Sequence, residues 1–151
     1  ASYKGLMMKN KEVVATLYRC FRQQDVACFT HLCSPSIIWQ QNQGFPGEGT
    51  HQGPTAVLNK VYKSFNIEWQ RWHFVIERML DAGEDIVVLG YFSGVKRDTK
   101  EHFKIAASHI YSFKEGKVVK FQQYTNEQTI THKASADKAL ANVGVVLEEL
   151  A

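Results

Sequence analysis

At Trp69 the spacing of apolar residues changes from helical to extended, and the extended spacing then runs to the hairpin that ends at Asn126. Upstream, Val14, Leu17, Tyr18 and Phe21 recur at i, i+3, i+4 and i+7, as do Leu58, Val61, Tyr62 and Phe65. That spacing puts each set on one face of a helix. Downstream the period is two. Trp72, Phe74 and Ile76 alternate with His73, Val75 and Glu77, and "EHFKIAASHIYSF" alternates throughout. Turn signals at "DAGED", "KRDTK" and "KEGK" cut this region into four strands that can pair as a meander. Helices segregated from strands predict an α+β fold. Helices laid on one face of a bent antiparallel sheet form a cone whose open end is an apolar pocket.

The helical half has further punctuation. Asn10 can cap the first helix, "RQQD" ends it, and Asp25 can cap a short second helix, "DVACFTHLC", stopped by Ser34-Pro35. "SIIWQQN" reads as a strand with Ile37, Trp39 and Gln41 on one face. "GFPGEGTHQGP" holds four glycines and two prolines in eleven residues and reads as an irregular loop. Gly53-Pro54 opens the third helix. "IVVLGYFSGV" is apolar on both faces and reads as a central strand. Residues 1–8 are expected to be a disordered N-terminus or an expression remnant, 9–130 the domain, and 131–151 a helical extension capped at Ser135 with Leu140, Val143, Leu147 and Leu150 on one stripe.

Composition narrows the function classes. The 151 residues suit one domain, and nine Phe, six Tyr and three Trp suit an aromatic interior. A net charge of +3 with the signs interspersed argues against a nucleic-acid partner. No apolar run approaches the roughly 20 residues of a membrane span. Three cysteines, Cys20, Cys28 and Cys33, cannot all pair within the chain and show no C-x-x-C spacing. They are expected to be reduced and buried in a cytoplasmic protein. Six histidines and three cysteines fall at no metal-ligand spacing, so neither a metal nor a cofactor is expected.

Three segments carry a resemblance to a known superfamily: "KEVVATLYRCFRQQDVACFTHLCSPSIIW", "GTHQGPTAVLNKVYKSF" and "IYSFKEGKVVKFQQYTN". Over roughly residues 9–130 the chain resembles the nuclear-transport-factor-like cone fold, and within it the SnoaL-like cyclases and the ketosteroid isomerases. The resemblance implies a small-molecule pocket and a homodimer through the outer sheet face, where Ala106 and Ser108 alternate with Ile110. It does not carry the isomerase residues across. By ungapped matching the catalytic aspartate falls on Gln40, with Gln41 beside it. The oxyanion-binding tyrosine falls on Leu17, with Tyr18 adjacent but about 100° round the helix. The protonated aspartate falls on His109, and the aspartate that often follows "QYT" in SnoaL-like cyclases is Asn126. No arginine with two aspartates matches the limonene epoxide hydrolases.

His109 shares a strand face with Phe103, Ile105, Ala107 and Tyr111, so it is a polar tip on an apolar wall. There a neutral imidazole can donate to a ligand carbonyl or exchange a proton, or it can be a core histidine satisfied by a carbonyl or by Tyr18. The expected ligand-binding residues are Leu17, Tyr18, Trp39, Gln41, Phe65, Trp72, Phe74, Tyr91, Ala107, Phe121 and Gln123. The inward parity of the last strand is open between Phe121/Gln123 and Gln122/Tyr124; Lys120 favours Phe121 inward. Phe45, Glu48 and His51 are expected to rim the mouth, Glu48 with the freedom to reach inward or to stay solvated. The expected function is binding of a small apolar, carbonyl-type molecule. It extends to a cofactor-independent isomerase, cyclase or dehydratase acting through His109. A non-catalytic binder and a dimeric interaction module are the alternatives.

Overall fold

The computed structural model describes residues 8–126, so the expected terminal helix lies outside the described residues. Helix α1 spans Asn10–Gln23 and buries Val13, Val14, Leu17 and Cys20. Asn10 is its first residue instead of its cap, since Lys9 holds the extended cap position. Gln24 ends α1 in the left-handed region at φ 56°, and the next amide, Asp25 N–H, closes back on Cys20 O at 2.9 Å. The Asp25 carboxylate accepts from Cys28 N–H at 3.0 Å and starts α2, Val26–Leu32. The two helices meet at this turn, where Cys20 and Cys28 lie with Cα atoms 6.0 Å apart and are joined as a disulfide. The expectation of three reduced cysteines is therefore corrected; Cys33 alone is free and buried.

Strand β1 is Cys33–Gln41 and β2 is Gly49–Gln52. The second falls in the segment expected to be an irregular loop. Its side chains are mostly exposed, so it has no period-two signal, and its place comes from backbone pairing of 49–52 with 38–41. Helix α3 runs over 54–68 in three segments: α-helical Pro54–Val57, a π-helical turn Leu58–Tyr62, and α-helical Lys63–Glu68. Then come β3 (Trp69–Ala82), β4 (Asp85–Lys96), β5 (His102–Lys114) and β6 (Lys117–Thr125).

The sheet order is β2-β1-β6-β5-β4-β3. The meander pairs as expected, and the β1–β6 pair is parallel. Three helical elements with a curved, open six-stranded sheet make an α+β cone fold. Irregularities between Gln70 and His73 and between Ile76 and Arg78 break the register of β3 against β4. Two glycines let the bulged strand come close. A Cβ on Gly90 would lie 2.1 Å from Val75 O, and one on Gly94 would lie 2.8 Å from Trp72 Cα. Ile76, expected beside Trp72 and Phe74, keeps their register by pairing with Gly90 but is 38 % exposed on this edge strand. Strand β5 alternates as predicted, with Phe103, Ile105, Ala107, His109, Tyr111 and Phe113 buried. Phe121 and Gln123 are buried and Tyr124 is exposed, which settles the parity of β6. Among the described residues no helix is long and apolar enough to cross a membrane.

Candidate functional site

The inner faces of β1, β3, β4, β5 and β6, together with α1 and α3, enclose a cavity of about 280 Å³. This lies near the lower end of the roughly 300–1,000 Å³ usual for small-molecule sites. Its walls are aromatic. Trp39 and Phe121 stack at 3.7 Å between centroids, and Tyr18 stacks on Phe74 at 5.3 Å. His109 lies against Phe74 at 4.6 Å and Phe121 at 5.0 Å. Val61 and Tyr62 reach the cavity from the π turn of α3, an irregularity often found at functional sites.

A directed chain of hydrogen bonds forms the polar floor. Gln123 Nε2 donates to Asn42 Oδ1 at 2.8 Å, which turns Gln123 Oε1 toward His109. An amide oxygen only accepts, so His109 Nε2 carries the proton and donates to it at 2.9 Å. In the neutral ring Nδ1 is then an acceptor, and it takes the Tyr18 hydroxyl proton at 2.5 Å. The chain ends where Asn42 Nδ2 donates to Thr125 Oγ1 at 2.5 Å. Burial lowers the His109 pKa to about 4, opposed by the Gln123 hydrogen bond. Burial also raises the Tyr18 and Tyr111 hydroxyls well above the usual phenol range. At neutral pH the floor is therefore uncharged.

Three more polar side chains of the lining, Trp39, Gln41 and Trp72, are also held by hydrogen bonds. Trp39 Nε1 donates to Gln41 Oε1 at 3.2 Å, and Gln41 Nε2 donates to Pro46 O at 3.3 Å. Trp72 Nε1 donates to Asn66 Oδ1 at 2.9 Å. The cavity lining contains no aspartate or glutamate.

Of the sequence-predicted residues, Tyr18, Trp39, Gln41, Phe65, Trp72, Phe74, His109, Phe121 and Gln123 all line the cavity. Three do not. Leu17 is fully buried in the core one residue away from the lining position. Ala107 is on the right face of β5, buried in the core outside the cavity lining. Tyr91 is on the opposite face, under the Lys104 ammonium at 4.1 Å, because β4 turns its even-numbered residues inward. Ungapped matching to the isomerases is thus displaced by one residue twice. Tyr18 stands at the cavity instead of Leu17. Gln41 does so instead of Gln40, which faces Gln122 on the outer side at 3.2 Å. Glu48 is held within its own loop by Gly44 N–H at 3.0 Å, and His51 by Gly47 O at 2.7 Å, so the rim pair does not reach inward. Phe45 is buried against Phe65, Trp69 and Phe92. Asn126 closes the hairpin with its backbone N–H on Ala106 O at 3.3 Å.

The sequence reading missed Arg22, Asn66, Arg71 and Tyr111 as lining residues, and with them Phe21, Val61, Tyr62, His73 and Phe92. Arg22 is i+4 from Tyr18 and Asn66 is i+4 from Tyr62, so helical spacing could have found both. Tyr111 shares the parity of His109. Arg71 left no periodic signal, because it sits in the first irregularity of β3 at φ 50°.

The sequence model of the SnoaL-like domain matches residues 14–121. The chain belongs to the SnoaL-like family. None of the functionally curated proteins compared with it matches. Among solved structures, this SnoaL-like chain is similar to a nuclear-transport-factor-2-like protein from Burkholderia thailandensis. The two are 28 % identical with a TM-score of 0.74, over 80 % of this chain and 92 % of the other. It also shares its fold with TerC co-crystallised with polyporic acid, at 16 % identity and a TM-score of 0.69, over 78 % and 91 % of the two chains. A third likeness is a ketosteroid-isomerase-like protein from Catenulispora acidiphila in complex with trimethylamine. There the identity is 11 % and the TM-score 0.67, over 78 % and 87 %. The SnoaL-like fold stands here together with a cavity whose lining holds amides and histidines and no aspartate or glutamate.

Proposed function

We propose that this SnoaL-like protein binds a small, flat, largely apolar, carbonyl- or hydroxyl-bearing molecule in the cone, where a ligand hydroxyl donates to the Tyr18 oxygen, whose own proton is held by His109 Nδ1. The observation that carries this reading is an aromatic cavity closed at its base by one directed chain from Tyr18 to Thr125. Such a chain holds the polar atoms in one orientation before a ligand arrives, which limits the ordering cost of binding. The ligand-bound neighbours of the same fold support a binding role in kind. Native mass spectrometry of protein from its source, with thermal shift against a library of aromatic ketones and phenols, tests the reading. A bound mass or a ligand-dependent rise in Tm is expected. An empty protein that no library member stabilises contradicts it.

One observation favours a second, catalytic reading. The Tyr18 hydroxyl bridges the buried His109 ring to the cavity, so a proton can pass between imidazole and ligand through it. In this reading His109 and Tyr18 serve a cofactor-independent isomerisation or cyclisation. Turnover by the wild type that His109→Ala loses while retaining ligand is the expected result, and unchanged turnover in that variant removes the assignment.

Assembly as a homodimer through the outer sheet face belongs to the same proposal. Leu80, Val87 and Ile110 form one row on that face, and Leu89 stands near Tyr124, which is 56 % exposed. Light scattering at micromolar concentration is expected to give twice the chain mass, and a monomer overturns it.

A further inference from the structure

The floor of the cavity has no hydrogen-bonding capacity left unassigned on His109, whose two ring nitrogens are both engaged. The rim is different. Arg22, in the last turn of α1, and Arg71, on β3, are both exposed and both line the cavity. Among the described residues neither guanidinium has a hydrogen-bond or ion-pair partner, whereas Arg97 donates to Asn66 O at 2.8 Å. No carboxylate lines the cavity to neutralise them. Two unpartnered, permanently charged forks therefore stand over an uncharged aromatic chamber.

Arg22 has a local reason to be where it is, since a cation is favourable at a helix C-terminus. Arg71 has none. It occupies the left-handed region at φ 50°, unfavourable for a long side chain, within the irregularity that breaks pairing between Gln70 and His73. A regular strand would remove that backbone cost. What the irregularity gains is the placement of Arg71 on the cavity that Arg22 reaches from the other side. Backbone held in a sparsely populated region is characteristic of ligand-contacting positions.

We propose that the occupant is an aromatic or conjugated anion, a carboxylate or an enolate. Its rings lie among Trp39, Phe74 and Phe121, and its charged oxygens meet Arg22 and Arg71 at the mouth. This inference rests on the reading of the cone as a small-molecule site and adds the charge of the ligand to it. The geometry suits such a molecule at both ends. Apolar walls take the ring system, and guanidinium forks match the spacing of two carboxylate oxygens. Orientation follows too: the charged end faces outward, and a hydroxyl on the far edge of the ring can donate to the Tyr18 oxygen, whose proton His109 holds. A neutral ketone of the same size fills the walls and leaves the two charges unused.

The test compares 2-naphthoate with methyl 2-naphthyl ketone by calorimetry at low ionic strength, on the wild type, Arg22→Gln, Arg71→Gln and Arg71→Lys. The wild type is expected to bind naphthoate at least about tenfold more tightly than the ketone, with the preference falling as salt shortens the screening length to about 3 Å at 1 M. Each glutamine variant should lose most of the preference and keep its ketone affinity. Arg71→Lys should retain part of it, because the charge stays while the fork is lost. Equal affinities in the wild type overturn the inference and leave the binding site standing. So does a preference that both glutamine variants preserve. If neither compound binds at millimolar concentration, the site reading and the inference fall together.

Discussion

The floor and the mouth of the cavity are built on opposite principles. At the floor, His109 and Gln123 are buried and each polar atom shown to interact is matched to a complementary one: phenol to imidazole, imidazole to amide oxygen, amide to amide, amide to hydroxyl. At the mouth, Arg22 and Arg71 carry full charges with no partner among the described residues. The difference separates two jobs that a single residue list hides. Saturated groups in a low-dielectric site give shape and fixed polarity, and they cost stability when one member is removed. Unsaturated groups at an exposed rim contribute little to the fold and are free to meet a ligand.

The contrast is broken most forcefully at Gln123. Gln123→Leu strips the acceptor from the fully buried His109 Nε2–H and the donor from Asn42, so unfolding free energy in urea should fall by about 3 kcal/mol. Next in size is the pH dependence. The His109 pKa is about 4 in the fold against 6.5 in the unfolded chain, so below pH 6.5 the unfolded state takes up a proton that the folded state refuses. That contribution is fully present above pH 6.5 and is lost progressively as pH falls to about 4, a loss of about 3 kcal/mol at most by the linkage rule. A urea midpoint series from pH 7.5 to 4 should show it, and His109→Gln should flatten that part of the curve. Tyr18→Phe keeps the ring on Phe74 and leaves His109 Nδ1 without its donor, for an expected loss of about 1–2 kcal/mol. The smallest effect on stability belongs to the mouth. Arg71→Gln should lie within about 0.5 kcal/mol of the wild type, as surface changes usually do. A loss as large as that of Gln123→Leu would erase the distinction between the two regions.

Much of the floor was legible in the sequence, because alternation along a strand fixes which side chains share a face. The period-two reading put His109 and Tyr111 together on β5, and the charge of Lys120 pointed Phe121 and Gln123 inward. Tyr18 was legible as part of the i, i+3, i+4 stripe on α1. The misses came where local periodicity stops governing the chain. Strand β2 has no buried face to mark it, and is placed only by its hydrogen bonds to β1. Arg71 lies in an irregularity that alternation does not describe. Tyr91 failed for a subtler reason. Strand β4 is apolar on both faces, so composition could not say which parity looks inward, and pairing of Gly90 with Ile76 and Ala107 decides it. Cys20 and Cys28 are eight residues apart in two different helices, and only the Asp25 turn brings them together.

Ligands are proposed to enter the aromatic chamber between Tyr18, His109 and Trp39. Histidine- and tryptophan-selective NMR during a titration with 2-naphthoate tests it at single-residue level. Saturable, single-site shifts are predicted at the His109 ring and the Trp39 indole N–H, with none at His102 on the opposite face of the sheet. Saturable shifts confined to that opposite face, with His109 and Trp39 unmoved, would contradict it.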